Sequence, residues 1–527
     1  MEKGTARLVR NGQAILPIGL CALVIVFGIF SRSAAIEQFV NSDSLLPAHM
    51  AWDVMRHDYA LANFHWPRVP SLPDLAFFFA MDLAGVNWRT SWLLYTCLVA
   101  AGVVLGMGWV IARMRGSDYS EGVTRAGIAV LAALLFAMVG LEHSPDEPRL
   151  WLPQLYLLVP VTHGNAFLLS LFTCCAALGA VRGDRRQAWA AWALCALGTF
   201  SDTLFLGYFL VPFSLAGTIM ALRPGAPTFA ALLRFVAGAT LACGLGWLAK
   251  VPLTMQEMML VRPDVWASLS HALNDLFEAP WILIVIALTL LLTIRTLRTL
   301  RGRPQRPAPA VVEADREWLM MTGLGASVMS LGLTYLLYDH FYAYRYAIPL
   351  FWWPVGLALG LARLPTSGKG RAALATLTVL ATVCAVPFTA TAMPRWRAPL
   401  ERCLSEHRQE WGLKAGLATY WHSRLVMASS DWQHQVDQID ADGRAYMWGN
   451  NFASYGHDML RPGHPPQYNF VVVDEKMDPF EIEILFGSPI GREACGRVGV
   501  WIYDQHIVPP GTEYRPPNSF KLKFVPE

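Results

Sequence analysis

Repeated apolar runs, each close to the ~20 residues that cross a ~30 Å hydrocarbon core, limit this chain more than any other feature. They recur at 15–32, 91–112, 125–141, 163–181, 187–201, 203–222, 229–249, 279–297, 318–338, 346–364 and 371–391. A water-soluble domain has no use for so many nearly uncharged stretches. The composition agrees, with 54% apolar residues, 15% charged residues and a mean hydropathy of +0.36. The expected fold class is an α-helical polytopic membrane protein of about eleven transmembrane helices.

The placement of Arg and Lys orients these segments. With the N-terminus inside, the inner loops hold Lys3, Arg7 and Arg10, then Arg113, Arg115 and Arg125, then Arg182, Arg185 and Arg186. Further on come Arg223 and Arg234, the run from Arg295 to Arg316, and Arg363, Lys369 and Arg371. The short outer loops are poorer in cations. An odd number of spans then puts the C-terminal region outside. The first apolar segment also has a signal-peptide alternative, since Ser31-Arg-Ser-Ala-Ala35 offers small residues. Cleavage there would leave the charge bias of the remaining chain unexplained.

The net charge of +3 is small and the arginines are spread over short loops, which argues against a nucleic-acid partner. No phosphate loop, dinucleotide fingerprint or zinc pattern is present. Residues 33–90 form a long outer loop with helical periodicity at Leu45, Leu46, His49, Met50, Trp52 and Asp53. Short interfacial helices are expected there, stopped by Pro67, Pro70 and Pro73. From about residue 394 the composition turns polar, so the expected domains are 1–393, spanning the membrane, and 394–527, a small periplasmic α/β domain. In the latter, 400–428 reads as a helix or two. Strands are expected at 435–439, 445–448, 468–474 and 499–503, with a helical turn at 480–486. Cys403 and Cys495 are the cysteines of this polar region, and an oxidising compartment would pair them. The others, among them Cys21, Cys174 and Cys384, lie in apolar runs and read as small hydrophobes.

The densest polar feature follows the first apolar run. Asn41-Ser-Asp-Ser-Leu-Leu-Pro47 holds Asp43, and His49, Asp53, Arg56, His57, Asp58 and the stretch His65 to Asp74 come after it. An acid beside a lipid surface is costly without a partner or a task. An outer acid just beyond the first span, acids in the second outer loop, a multispan core and an external α/β domain together resemble the GT-C glycosyltransferases. The chain is also similar to a branch of bacterial membrane proteins sharing its Ser-Asp-Ser-Leu-Leu-Pro and Pro-Ser-Leu-Pro-Asp elements. GT-C members often carry two adjacent acids where Ser42-Asp43-Ser44 has one.

The resemblance implies transfer of a sugar from a polyprenyl-phosphate donor to an envelope glycan, lipid or protein acceptor, with inversion, on the periplasmic side of the inner membrane. A carboxylate base is then needed, and Asp43 is the candidate; as a residue it equally fits a helix N-cap for a segment starting at Ser44. Arg345, set in the aromatic stretch Tyr338 to Tyr346, suits a lipid phosphate or a snorkelling anchor. Lys250 and Arg262 are weaker versions of it. His49, His65 and His163 are candidate substrate contacts, and Asp202, between two spans, faces a cavity or caps a helix. Glu142, Asp146 and Glu147 could take a divalent cation, Mg or Mn, or form a solvated acidic loop. Two other classes compete: a transporter or flippase for lipid-linked saccharides, which would want charges in mid-span, and a non-catalytic partner in polysaccharide export.

Overall fold

The computed structural model describes residues 15–57, 59, 64–67, 69–143, 153–222, 227–253, 266, 270, 281–301, 310–335, 344–361, 393–459, 461 and 463–512. In chain order the helices begin with α1 (Ile15–Ile29), α2 (Ser33–Phe39), α3 (Ser42–Arg56), α4 (Leu72–Leu83), α5 (Trp88–Arg115) and α6 (Tyr119–His143). Next are α7 (Pro153–Tyr156), α8 (Gly164–Val181), α9 (Arg185–Ser201), α10 (Leu206–Met220), α11 (Phe229–Lys250) and α12 (Trp281–Arg301). The last are α13 (Ala310–Tyr335), α14 (Ile348–Leu361), α15 (Pro399–Glu406), α16 (Tyr420–Ser429) and α17 (Pro479–Phe486). Seven strands accompany them: β1 (Phe64–His65), β2 (Ala415–Thr419), β3 (Val436–Ile439), β4 (Asn450–Asn451), β5 (Tyr468–Val473), β6 (Gly491–Cys495) and β7 (Val498–Ile502).

The chain divides into two compact units. One takes Met1–Ala35, Leu93–Lys250 and Met259–Thr391, and is helical among its described residues. In it α9 packs against α8 and α11, and α13 packs against α10 and α14. Small residues allow the closest approaches: a Cβ on Gly122 would overlap the Gly108 carbonyl oxygen, and one on Gly246 would overlap that of Ala196. Such crossings suit helices in lipid, where backbone proximity supplies contacts that water exclusion does not. Inside, Phe213 and Trp318 lie 4.9 Å apart, and the Trp318 indole N–H donates to the Phe213 carbonyl at 3.2 Å. Outside, the pattern inverts: Leu98, Leu215, Leu241, Leu245 and Leu291 are exposed. A surface of leucines on apolar helices fits hydrocarbon better than water.

Among the described residues, Trp88–Arg115, Tyr119–Met138, Gly164–Val181 and Phe229–Lys250 are long and apolar enough to cross a membrane, and Ile15–Ile29, Leu206–Met220 and Leu283–Thr296 are shorter apolar helices. The expected span at 371–391 lies outside the described residues. The expected break between 201 and 203 is real. Asp202 has extended backbone there, and the next helix opens on a wider π turn at Leu206–Leu210.

The other unit takes Ile36–Trp92, Val251–Met258 and Ala392–Glu527. Its sheet runs β3-β2-β5-β7-β6, parallel across β3, β2 and β5 and antiparallel from β5 onward. The segment Ile36–Trp92, expected as an outer loop, belongs to this unit: β1 pairs antiparallel with β4, and α3 packs on α16. Helix formation at 42–56 has a local cause. Asn41, with extended backbone, accepts from Ser44 N at 3.1 Å, and Ser44 Oγ accepts from Asn41 N at 3.0 Å, a reciprocal capping box.

Four local expectations are corrected here. Asn41 is the helix cap rather than Asp43, which sits in the first turn. Pro73 lies in the first turn of α4 instead of stopping a helix, because a proline there forfeits no helical hydrogen bond. Residues 400–428 are two helices, within the reading of a helix or two, but the unexpected strand β2 separates them. The stretch 445–448 is not a strand; Ala445 makes a single bridge to Ile439, while strand β6 was missed.

Candidate functional site

Each unit carries a polar constellation of its own. In the unit holding the sheet, the Tyr420 hydroxyl donates to Asp43 Oδ1 at 2.8 Å, and the Ser42 hydroxyl is held by the carbonyls of Tyr420 and Trp421 at 2.7 and 3.0 Å. The first turn of α3 is thereby fastened to the first turn of α16. Burial and the Asp43 charge push the Tyr420 phenol well above its ordinary range, so it remains a donor. Asp43 is half-buried. Pro47 lacks the N–H that would otherwise bond the Asp43 carbonyl within the helix.

One turn and a half further along α3, His49 is buried with Nε2 3.5 Å from Asp53 Oδ2, and its ring meets Trp432 edge-on at 5.3 Å. Burial lowers His49 well below the usual imidazole value, with the Arg424 charge adding to it. The same burial pushes Asp53 up to about 8 against the opposing pull of Arg424. Arg424 is fully enclosed: Nε donates to Gln438 Oε1 at 3.1 Å, Nη2 donates to the Gly449 carbonyl, and Nη1 has no hydrogen-bond partner among the described residues. Beside it Asp437, raised to about 6 by burial, accepts from Tyr468 OH at 2.7 Å and Gln435 Nε2 at 2.8 Å. His65 lies buried in the two-residue strand β1, where burial lowers its pKa. Cys403 of α15 and Cys495 of β6 are bridged, with Cα atoms 5.9 Å apart.

A cavity of about 330 Å³ opens between the second half of α3, α4, the start of α5 and the turn after α16. Trp52 and Trp432 on its wall are stacked at 4.9 Å and 11°. Asp431 and Trp432 have φ of 51° and 65°. Bulky residues avoid that region, and holding one there costs roughly 1–3 kcal/mol. Behind them the buried Arg89 guanidinium donates to Ser429 O at 2.8 Å and to Asp431.

In the helical unit, His163 caps α8 from a left-handed conformation, and its Nδ1 lies 2.6 Å from Asp202 Oδ2. Asp202 also accepts from Leu204 N at 2.9 Å and feels the charge of Lys250, the buried last residue of α11. The His163 ring lies 4.9 Å from that of Tyr346, and the Arg345 guanidinium sits 5.6 Å above the same Tyr346 ring. Of the residues singled out by sequence, His163 and Arg345 therefore both lie against Tyr346 in this unit, and Asp202 holds His163 within range of the Lys250 charge. Val161, at φ of 60°, and His163 strain the backbone leading into it.

Arg262, Asp146 and Glu147 lie outside the described residues, as does the side chain of Glu142. Among the described residues no group of three or more His, Cys, Asp or Glu gathers as metal ligands. Sequence reasoning missed Tyr420, Arg424, Asp437 and the role of Asp53. The i, i+4 spacing of His49 and Asp53 was visible, but the enclosing residues lie nearly 400 positions away.

No protein-family model matches the chain, and no curated protein matches it. Among solved structures it is similar to a cryo-electron microscopy structure of arabinofuranosyltransferase AftD from mycobacteria, with a TM-score of 0.41 and 14% identity. That match covers 94% of this chain and 41% of AftD, so the chain spans about two fifths of that protein's length.

Proposed function

We propose that the chain is a membrane glycosyltransferase of the GT-C kind, moving a sugar from a polyprenyl-phosphate donor to an envelope acceptor on the periplasmic side of the inner membrane. The observation that carries the reading is the carboxylate of Asp43, oriented by the Tyr420 hydroxyl at 2.8 Å while half-exposed. A general base needs that combination of fixed direction and access. In the reaction, Asp43 takes the proton of the acceptor hydroxyl as its oxygen bonds to the anomeric carbon. The bond from that carbon to the donor phosphate breaks, and the electron pair leaves with the polyprenyl phosphate, inverting the centre. Within the helical unit, Arg345 and Lys250 carry charge of the kind that holds a phosphate, and the Asp202 carboxylate fixes the tautomer and direction of His163.

Asp43→Asn keeps the shape and much of the Tyr420 contact but cannot accept a proton. General-base contributions are of order 10²–10⁴ in rate, so transfer of labelled sugar from polyprenyl phosphate in reconstituted membranes is expected to fall at least ~100-fold, with expression unchanged. Arg345→Lys keeps the charge, loses the two-pronged fork, and should chiefly raise the donor KM. Near-normal transfer by Asp43→Asn would remove Asp43 as the base.

A further inference from the structure

The carboxyl ends of the parallel strands are a second chemical feature of the sheet-bearing unit. β2 leads through α16 to β3 on one side, whereas β5 lies on the other side and leads through α17 to the antiparallel strands. α17 sends Ile482 and Phe486 into the apolar cluster on the face of Leu417 and Val471, and among the described residues none of α16 joins that cluster. Neighbouring parallel strands whose connections diverge in this way open a crevice beyond their carboxyl ends, the usual ligand position in such sheets. Here the crevice lies between Thr419, which ends β2, and Asp474, which follows β5.

Its side chains are held in place and partly open to solvent. Thr419 Oγ1 donates to Asp474 Oδ2 at 2.5 Å, and the peptide N–H of Lys476 donates to Asp474 Oδ1 at 2.9 Å. The pinned carboxylate lies 3.4 Å from His422 Nε2, and the His422 side chain is 27% exposed. Burial lowers the His422 pKa from its usual value, against the pull of Asp474. A neutral ring that turns Nε2–H toward the carboxylate has Nδ1 as a bare acceptor. Trp421, one residue earlier, is 43% exposed, and its ring centre lies 5.5 Å from the Lys476 ammonium. Glu475 and Lys476 are both exposed, so with Asp474 the acids outnumber the cation. The same helical turn holds the proposed base. The Ser42 hydroxyl bonds to the Tyr420 and Trp421 carbonyls, and the Tyr420 hydroxyl donates to Asp43.

From this we infer that the crevice receives the acceptor, and that the acceptor is a saccharide of neutral sugars. A sugar ring has an apolar C–H face to lay on the open part of the Trp421 indole. Its hydroxyls donate to His422 Nδ1 and to Glu475 and accept from Lys476. A lipid chain would find a single ring set among charges, and an anion would meet the two acids. The role as acceptor site rests on the proposed transfer, whereas binding itself is measured without turnover.

The test is saturation-transfer NMR and titration calorimetry on the full chain in detergent, with neutral hexose and pentose disaccharides and the matching uronic-acid disaccharides. At least one neutral disaccharide should bind, and its uronic-acid counterpart should bind more weakly. Trp421→Ala should weaken binding at least ~10-fold, as loss of a contacting aromatic ring does. Trp421→Phe, which keeps a ring, should retain most of the affinity. His422→Ala, at a partly exposed position, should weaken binding several-fold with the melting temperature kept, and it serves as the reading if Trp421→Ala fails to fold. In transfer assays Trp421→Ala and His422→Ala should raise the acceptor KM while kcat and the donor KM change little. Absence of binding by every neutral disaccharide, equal binding of the uronic acids, or native binding by folded Trp421→Ala or His422→Ala each overturns the inference. Transfer that depends on Asp43 but goes to a lipid or a peptide, with no disaccharide bound, overturns the inference and leaves the transfer standing. Disaccharide binding that needs Trp421, in a chain that transfers no sugar, supports the crevice site and overturns the transfer alone.

Discussion

Asp53 and His49 place two titratable groups on one helix turn, each pushed by burial toward its neutral form. Both are enclosed, and burial drives the acid up and the base down. For Asp53 the folded pKa of about 8 stands above the ordinary value of ~3.9. The folded state therefore binds more protons than the unfolded state between those values, and the stability contribution of Asp53, full below pH ~4, is lost as pH rises toward 8. His49 has the opposite sign: its folded pKa is depressed, so stability is lost as pH falls below ~6.5. Asp53→Asn removes the alkaline loss. The melting temperature of the variant in detergent should exceed that of the native chain at pH 8–9 and show little or no advantage at pH 5. A pH-independent difference would mean that Asp53 is ionised in its enclosure, held by Arg424. Asp43, ten residues earlier, lies outside that enclosure and keeps access to water.

Among the elements, β2 decides how the sheet-bearing unit is put together. Ala415–Thr419 lies between β3 and β5 with every residue buried, so it lacks the alternation that marks a half-exposed strand. Its small residues are dictated by the neighbouring strand: a Cβ on Gly416 would fall inside the Phe470 ring, where β2 and β5 also shift register. Gly416→Ala should cost about 1–3 kcal/mol, as overpacking does, read as a lowered unfolding midpoint. A neutral Gly416→Ala would mean that the Phe470 ring has room to turn. The Cys403–Cys495 bridge works at the same scale, tying α15 to the edge strand β6 across a separation of 92 residues. The chain-entropy model assigns a loop of that length about 4–5 kcal/mol. Reduction should lower the unfolding midpoint of this unit markedly, and Cys403→Ala should reproduce that loss without reductant.

At the scale of the molecule, the apolar helices and the cation-rich loops between them argue for a chain threaded through a bilayer, N-terminus inside. Single-cysteine labelling should then find residue 305 on the cytoplasmic side and residue 440 on the periplasmic side. The motive is the arginine run from 295 to 316 set against the polar region after 394. Both labels on one side would refute that threading.

Much of the helical unit was legible in the sequence, because crossing lipid demands long apolar segments with charged ends, and those two signals are local. The strands at 436–439, 468–473 and 498–502 were legible for a similar reason: β-branched and aromatic residues bounded by turn residues. Local chemistry also picked out Asp43, His163, Asp202, Lys250 and Arg345. It could not say that His163 and Arg345 share Tyr346, that Asp202 holds His163, or that Asp43 meets a tyrosine 377 positions away. Nor could it place the segment 36–92 with the C-terminal strands, since β1 has two residues and its pairing with β4 depends on a partner far along the chain. The sequence determined which segments could enter lipid and which could not. Only the tertiary structure decided which polar groups became partners, because an isolated side chain carries no record of the distant atom that will satisfy it.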